Sequence, residues 1–314
     1  MTAHPTRVTA FAPATVANVG SGFDVLGFAV ERPGDTVKAR RREGAGVNLL
    51  DVTGDGGRLP RDASNTAVVA AGRLLERLGE PFGVDLVLHK GMPLASGLGS
   101  SAASAAAALH AVNRLAGDPL AAEELLPCAL AAEQVAAGTG HADNAAPALL
   151  GGFVLIRSTA PLDLVRLPVP DGLAVALLSP DVEIPTEAAR RILRKQIPLA
   201  DAVSQWGNLA ALVASLYAGD LALMGRSLGD LVAEPVRAVL IPGFAAVKEA
   251  ALQAGAIGCS ISGAGPAVFA LAASLAKAGT VAEAMRQAFA DAGLTAAAYV
   301  SEISRAGPRI AAQC

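Results

Sequence analysis

At 314 residues the chain is long enough for two domains of ordinary size, and with 53% hydrophobic and 17% charged residues it can bury a substantial core, which excludes a disordered chain. A net charge of −3 and an aromatic content of only 4% exclude a basic nucleic-acid or anionic-membrane surface and a base-stacking platform. Cys128, Cys259 and Cys314 are widely separated and form no CxxC pair or metal spacing, so a reducing cytoplasm is expected.

In chain order, a strand is expected at residues 8–11, and Pro13 and Asn18 break the apolar N-terminal stretch that a signal peptide would need. A polar, glycine-containing segment follows, Asn18-Val19-Gly20-Ser21-Gly22-Phe23-Asp24. Residues 25–30 and 36–42 read as a pair of strands separated by Pro33-Gly34, and residues 47–52 as a further strand. Asn65 is a good N-cap for a helix ending at Gly79, with Val68, Leu74, Leu75 and Leu78 as its apolar stripe. A strand at 84–89 leads into Pro93-Leu94-Ala95-Ser96-Gly97-Leu98-Gly99-Ser100-Ser101-Ala102-Ala103-Ser104, the most informative stretch of the chain.

That stretch is a glycine-serine loop opening an alanine-rich helix over 100–115. The first N–H groups of a helix have no partner within it and the dipole there is positive, so the site suits an anion. Serine hydroxyls add donors and an oxygen ligand for Mg²⁺. No Lys follows Gly99, which excludes a P-loop, and no acidic residue lies about twenty residues on beside a second strand, which disfavours a dinucleotide fold. A tight strand–helix turn capped by serines is the plainer alternative.

A helical region over 120–136 is expected to break or restart at Pro127. Gly138-Thr139-Gly140-His141-Ala142-Asp143-Asn144 is a polar turn into a short helix, and strands are expected at 153–157, 164–168 and 173–178. Helices follow around 185–193, 199–218 and 243–255. Residues 257–262 and 267–271 form a hairpin through Gly263-Ala264-Gly265-Pro266, with a helix over 281–292 and a strand over 296–302. Residues 250–276 carry no charge, but their glycines and Pro266 make a membrane-spanning helix implausible.

Four clusters could carry chemistry. Asn18 and Asp24 share one glycine loop. Glu133, His141, Asp143 and Asn144 form a second group, in which Glu133 could ligate Mg²⁺ through oxygen. Arg190 and Arg237 could each grip a carboxylate bidentately. Ser262 to Pro266 form a second glycine turn. Each has an ordinary alternative as a turn former, a cap or a solvated helix face. No nucleophile triad, HExxH or EF-hand pattern is present. Taken together, these residues point to a Mg-nucleotide site beside a small polar substrate.

With these clusters in this order, the chain resembles the GHMP kinase superfamily and, within it, the homoserine kinase family. The resemblance covers residues 7–303. It rests on Pro13 to Asp24, on Pro93 to Ser104, on Gly140-His141-Ala142-Asp143-Asn144, on Ala233-Glu234-Pro235-Val236-Arg237 followed by Ile241-Pro242-Gly243-Phe244, and on Ile261 to Pro266. It implies an α+β fold of two domains, residues 1–165 and 166–314, the first with a left-handed β-α-β unit and the second ferredoxin-like. It implies ATP and Mg²⁺ as cofactors. Asn65, Pro93, Gly97, Leu98, Gly99, Ser100, Ser101 and Ala102 would hold the nucleotide, Ser101 and Glu133 the metal. Asn18 would hydrogen-bond the attacking hydroxyl, Asp24 and Asp143 would hold the substrate ammonium, and Arg190 and Arg237 its carboxylate. Thr186 and His141 would stand near the reacting centre, and Gly263 and Gly265 belong to the third glycine motif. The implied reaction is phosphorylation of the L-homoserine hydroxyl in threonine biosynthesis, by a homodimer. Another small-molecule kinase of the superfamily and a non-catalytic ligand sensor are the alternatives. Arg194 stands where related sequences often carry proline, away from every proposed contact.

Overall fold

The apolar residues that start at Val8 open a strand much longer than the 8–11 segment expected. In the computed structural model, which describes residues 4–138 and 140–314, β1 (Arg7–Val19) and β2 (Gly22–Arg42) run antiparallel and are joined by a tight turn at Gly20-Ser21. The two strands expected at 25–30 and 36–42 are one strand. Both halves pair with β1, Ala29 opposite Thr15 and Thr36 opposite Phe11. Gly34 explains the misreading. A Cβ there would lie 2.3 Å from both the Ala12 carbonyl oxygen and the Phe11 ring, so this glycine marks close backbone approach rather than a reversal.

β3 (Val47–Thr53), α1 (Thr66–Arg77) and β4 (Gly83–His89) form a β-α-β unit whose two strands pair in parallel. α2 (Ser100–Leu115) then crosses behind the sheet, buried along most of its length, and its alanines let neighbours approach closely. α3 (Ala122–Ala137) runs without a break through Pro127. Leu125 and Leu126 are 2% and 0% exposed; burying the two is worth about 3–6 kcal/mol, against about 3 for the proline. α4 (Ala142–Leu150) follows, and β5 (Phe153–Thr159) and β6 (Leu162–Leu167) form a hairpin on β2.

The second sheet begins with β7 (Ala174–Pro180). A helical excursion follows, α5 (Thr186–Arg191), α6 (Leu199–Ala218), α7 (Leu221–Ser227) and α8 (Glu234–Arg237) with a 3₁₀ turn, leading to α9 (Phe244–Gln253). β8 (Gly258–Ile261), β9 (Val268–Ala272), α10 (Leu275–Asp291) and β10 (Ala296–Glu302) complete it. The strand order is β10-β7-β9-β8, all antiparallel, which is the ferredoxin-like order with helices inserted after its first strand. The uncharged stretch 250–276 is the end of α9 and the β8–β9 hairpin. Among the described residues no helix is long and apolar enough to cross a membrane.

A strand not foreseen, β11 (Arg309–Gln313), returns to pair with β1 in the first, seven-stranded sheet. A division at 165/166 therefore does not separate the two sheets, because the chain tail belongs to the first. The sheets also share a core: the Phe28 ring packs at a tilt of 47° against Phe153 of its own sheet, 4.9 Å between centroids, and meets Phe269 of the other edge-on at 5.9 Å.

Candidate active site

Three backbone turns meet where the sheets adjoin. In the loop between β4 and α2, Gly97 takes φ +81° and Gly99 φ +65°. These glycines face protein. A Cβ on Gly97 would fall 2.5 Å from the Ser262 carbonyl oxygen, and one on Gly99 would fall 1.9 Å from Thr15 Oγ1. The Ser262 hydroxyl donates to the Gly97 carbonyl at 2.7 Å, the Ala267 amide to the Ser96 carbonyl at 2.9 Å, and the Gly263 amide to the Ala17 carbonyl at 3.0 Å. The glycine loop, the β1–β2 segment and the β8–β9 turn are thus one backbone-bonded unit.

Gly99 is the N-cap of α2 and supplies no side-chain cap. Ser100 and Ser101 of the first turn line a cavity of ≈ 160 Å³, and Ser100 Oγ is buried without a hydrogen-bond partner. Under this turn lies a buried ion pair between Lys90 and Asp35, 2% and 0% exposed at their side chains. Lys90 Nζ also donates to the Ser100 carbonyl at 2.9 Å and to Ser104 Oγ at 2.6 Å, and the Ser104 hydroxyl bonds Asp35. The pair anchors the helix start from below. Sequence reasoning missed it: Lys90 follows the apolar strand 84–89, but Asp35 stands after Pro33-Gly34, where it reads as a turn residue.

Glu133 reaches the same cavity from α3 and is 4% exposed. Burial pushes its carboxyl above the usual glutamate range, opposed by the Ser101 hydroxyl and the Lys90 charge. Its Oε1 has no hydrogen-bond partner. A buried, unsatisfied carboxylate oxygen beside serine hydroxyls supplies oxygen donors of the kind a hard divalent cation takes, and the uncapped helix start next to them suits the anion such a cation would accompany. These residues therefore fit Mg²⁺.

The other end of the cavity is charged. Asn18 and Asp24 adopt φ +56° and +57°, a left-handed conformation that Asn and Asp tolerate. Asn18 Nδ2 donates to the Gly263 carbonyl at 2.8 Å and its Oδ1 accepts the Asp24 amide at 2.8 Å. Asp24 receives both terminal nitrogens of Arg190 at 3.0 and 2.7 Å. Arg237 is 4% exposed; its Nη1 donates to the Gly263 carbonyl at 3.0 Å, its Nε to the Ala189 carbonyl at 3.2 Å, and its guanidinium lies 5.2 Å from the Phe23 ring. Asp143 lies buried in the first turn of α4. Burial, reinforced by the Asp24 charge, pushes its carboxyl up to about 7, although the Asn18 amide donates to it at 3.3 Å. His141, the N-cap of α4, is held below the usual histidine range by burial and the Arg190 charge, so it is neutral at pH 7. Thr186 opens α5 at the cavity wall.

Thirteen of the residues named from the sequence line this one cavity: Asn18, Asp24, Gly97, Gly99, Ser100, Ser101, Glu133, His141, Asp143, Thr186, Arg190, Arg237 and Gly263. Five do not. Asn65 is spent on capping α1, accepting the Ala67 amide at 3.0 Å and donating to the Pro60 carbonyl at 2.8 Å. Leu98 and Ala102 are core residues, 0% and 1% exposed. Pro93 only accepts the Ser96 hydroxyl at 2.8 Å, and Gly265 packs against Ile241 and Ile261. Ala95, Ser96 and Ala264 line the cavity without having been named as site residues, and Asn144, grouped with Glu133, His141 and Asp143 but given no role, lines it too. Asn144 Oδ1 accepts the Thr15 hydroxyl at 2.7 Å. All four stand beside named residues, so adjacency was the available signal.

Residues 65–152 match the GHMP kinases N terminal domain and residues 212–291 the GHMP kinases C terminal domain. The chain is 53% identical over 276 residues to a homoserine kinase of Chlorobium phaeovibrioides, covering 84% of this chain and 86% of that one. It is 46% identical over 270 residues to a homoserine kinase of Xylella fastidiosa, covering 86% and 82%. The crystal structure of a homoserine kinase from Cytophaga hutchinsonii superposes with a TM-score of 0.96 at 50% identity, covering 99% of both chains.

Proposed function

The chain belongs to the homoserine kinase family of the GHMP kinases, and from that premise we propose that it transfers the γ-phosphoryl group of ATP to the side-chain hydroxyl of L-homoserine. One observation carries the reading. A single cavity joins an uncapped helix start, with the unsatisfied Glu133 oxygen beside it, to a set of opposed charges. A polyphosphate suits the first end and a zwitterion the second.

The Asp24–Arg190 pair is about one-third exposed, 38% and 36% at the side chains. An amino acid can insert into it by exchange, its ammonium taking Asp24 and its carboxylate taking Arg190, so neither charge is left unpaired. Arg237 adds a second guanidinium for the carboxylate and Asp143 a second carboxyl for the ammonium. Asn18, held by Gly263 and by the Asp24 amide, presents its remaining amide hydrogen toward the substrate hydroxyl. The helix start and the loop amides would bind the phosphates, and Ser101 and Glu133 would hold Mg²⁺, which when bound neutralises phosphate charge. Phosphoryl transfer has a loose transition state, so positioning and charge neutralisation suffice without a strong base. Thr186 and His141 line the same cavity and would stand near the reacting centre.

The test is ADP release with L-homoserine, mevalonate and galactose in parallel. Turnover with homoserine alone is the expected result. Turnover only with another alcohol makes the chain a different kinase, and nucleotide binding without any turnover makes it a sensor. We also propose a homodimer. Its support is the outer face of α6, where Leu199, Val203, Trp206 and Tyr217 are exposed by 55–73% on one uncharged stripe.

A further inference from the structure

We infer that Gln205 is a positioning residue that fixes the Asn18–Asp24 turn against the segment leading to Arg237 in the amino-acid pocket. The inference rests on the zwitterion reading of that pocket. Gln205 sits on the inner face of α6, 7% exposed and remote from the cavity lining. Its amide is engaged in three directions. Nε2 donates to the Ser21 carbonyl at 2.9 Å and to Asp230 Oδ1 at 3.1 Å, and Oε1 accepts the Leu231 amide at 2.9 Å.

The two segments so joined carry the Asn18–Asp24 wall and the Arg237 wall of the pocket, which also meet at the Gly263 carbonyl, where Asn18 Nδ2 and Arg237 Nη1 both donate. Ser21 is in the β1–β2 turn, between Asn18 and Asp24. Asp230 accepts the amides of Val232, Ala233 and Glu234 and so fixes the entry to α8, whose last residue is Arg237. The turn is also pinned nearby, since the Ser21 hydroxyl donates to the Ser227 carbonyl at 2.8 Å. Gln205 alone, among the described residues, bonds both the turn and the Asp230 cap. Its geometry demands two donors and one acceptor within a buried space. A carboxylate there would face the Ser21 carbonyl and the Asp230 carboxylate with no proton to offer, and an apolar side chain would leave the Ser21 carbonyl and the Leu231 amide unpaired.

Gln205→Glu and Gln205→Met, made in the full chain, separate positioning from mere packing. The wild type and both variants are assayed for KM with L-homoserine, KM with ATP, kcat and Tm. The expected result is a rise of about tenfold or more in KM for homoserine, with KM for ATP and kcat within about twofold of wild type. For Gln205→Glu the ratio of variant to wild-type KM also shrinks as pH falls, because a protonated glutamate regains a donor. Variants with a lowered Tm but unchanged KM for homoserine, or with both KM values raised together, overturn the inference. Gln205→Met carries the same readout if Gln205→Glu does not fold. A wild type that fails to turn over homoserine removes the zwitterion reading itself, and the wild-type arm shows that separately.

Discussion

Glu133, buried with an unpartnered carboxylate oxygen, is a liability to the fold that a bound cation would relieve. Burial raises its pKa from an ordinary 4.5. The stability linked to its protonated form is therefore full below that value and is lost as pH rises through the raised folded value. Glu133→Gln should lower kcat by about 10²–10³ while Tm at neutral pH holds or rises; a Tm loss of several degrees would count against the metal role. Asp143 behaves alike at the other end. With its carboxyl at about 7, the stability of the unliganded protein falls as pH rises from the ordinary value of 3.8 through about 7. Ammonium binding needs the ionised form, so KM for homoserine should fall about tenfold as pH rises from about 6 to 8. Asp143→Asn should flatten that pH profile. These residues were legible because a charged side chain stands out in an alanine-rich chain with 17% charge. The Asp24–Arg190 pairing was not, since it joins positions 166 apart with no local pattern.

Among elements, glycines of the same composition do opposite things. Gly97 is needed for its φ of +81° and for a contact that leaves 2.5 Å to the Ser262 carbonyl. Gly97→Ala should cost about 2–4 kcal/mol of stability and raise KM for ATP. Gly72 lies within α1 with nothing within 4 Å of an added Cβ. Gly72→Ala should stabilise by about 0.5–1 kcal/mol in denaturant unfolding and leave activity unchanged. The long helices and most strands were legible from periodicity and caps, as with Asn65 before α1. The four-residue α8 and the return strand β11 were not, because α8 is set by Asp230 and β11 by its pairing with β1. The union of two expected strands into β2 escaped notice because Pro33-Gly34 is locally a turn signal, overridden by continuous pairing with β1.

The whole molecule places one cavity between two sheets and leaves one helix face uncovered. The outer stripe of α6 contains no charge to oppose a second copy. Trp206→Glu should shift the protein from dimer to monomer in sedimentation or light scattering, and an unchanged mass would remove the α6 interface. The inner face of the same helix holds Gln205, so the two proposals for α6 concern opposite faces and are tested separately.

Composition, loop chemistry and motif order were enough, in the sequence alone, to define the family, the reaction class and most of the charged residues. Those properties reside in residue type and short spacing, and both survive in a linear string. Tertiary structure alone decided that Gly97 turns against Ser262, that Leu98 and Ala102 are buried in the core, that Lys90 and Asp35 pair beneath the helix start, and that Gln205 bonds Ser21. Each of those roles is a contact between segments far apart in the chain, and close packing selects it only once the sheets and helices have met.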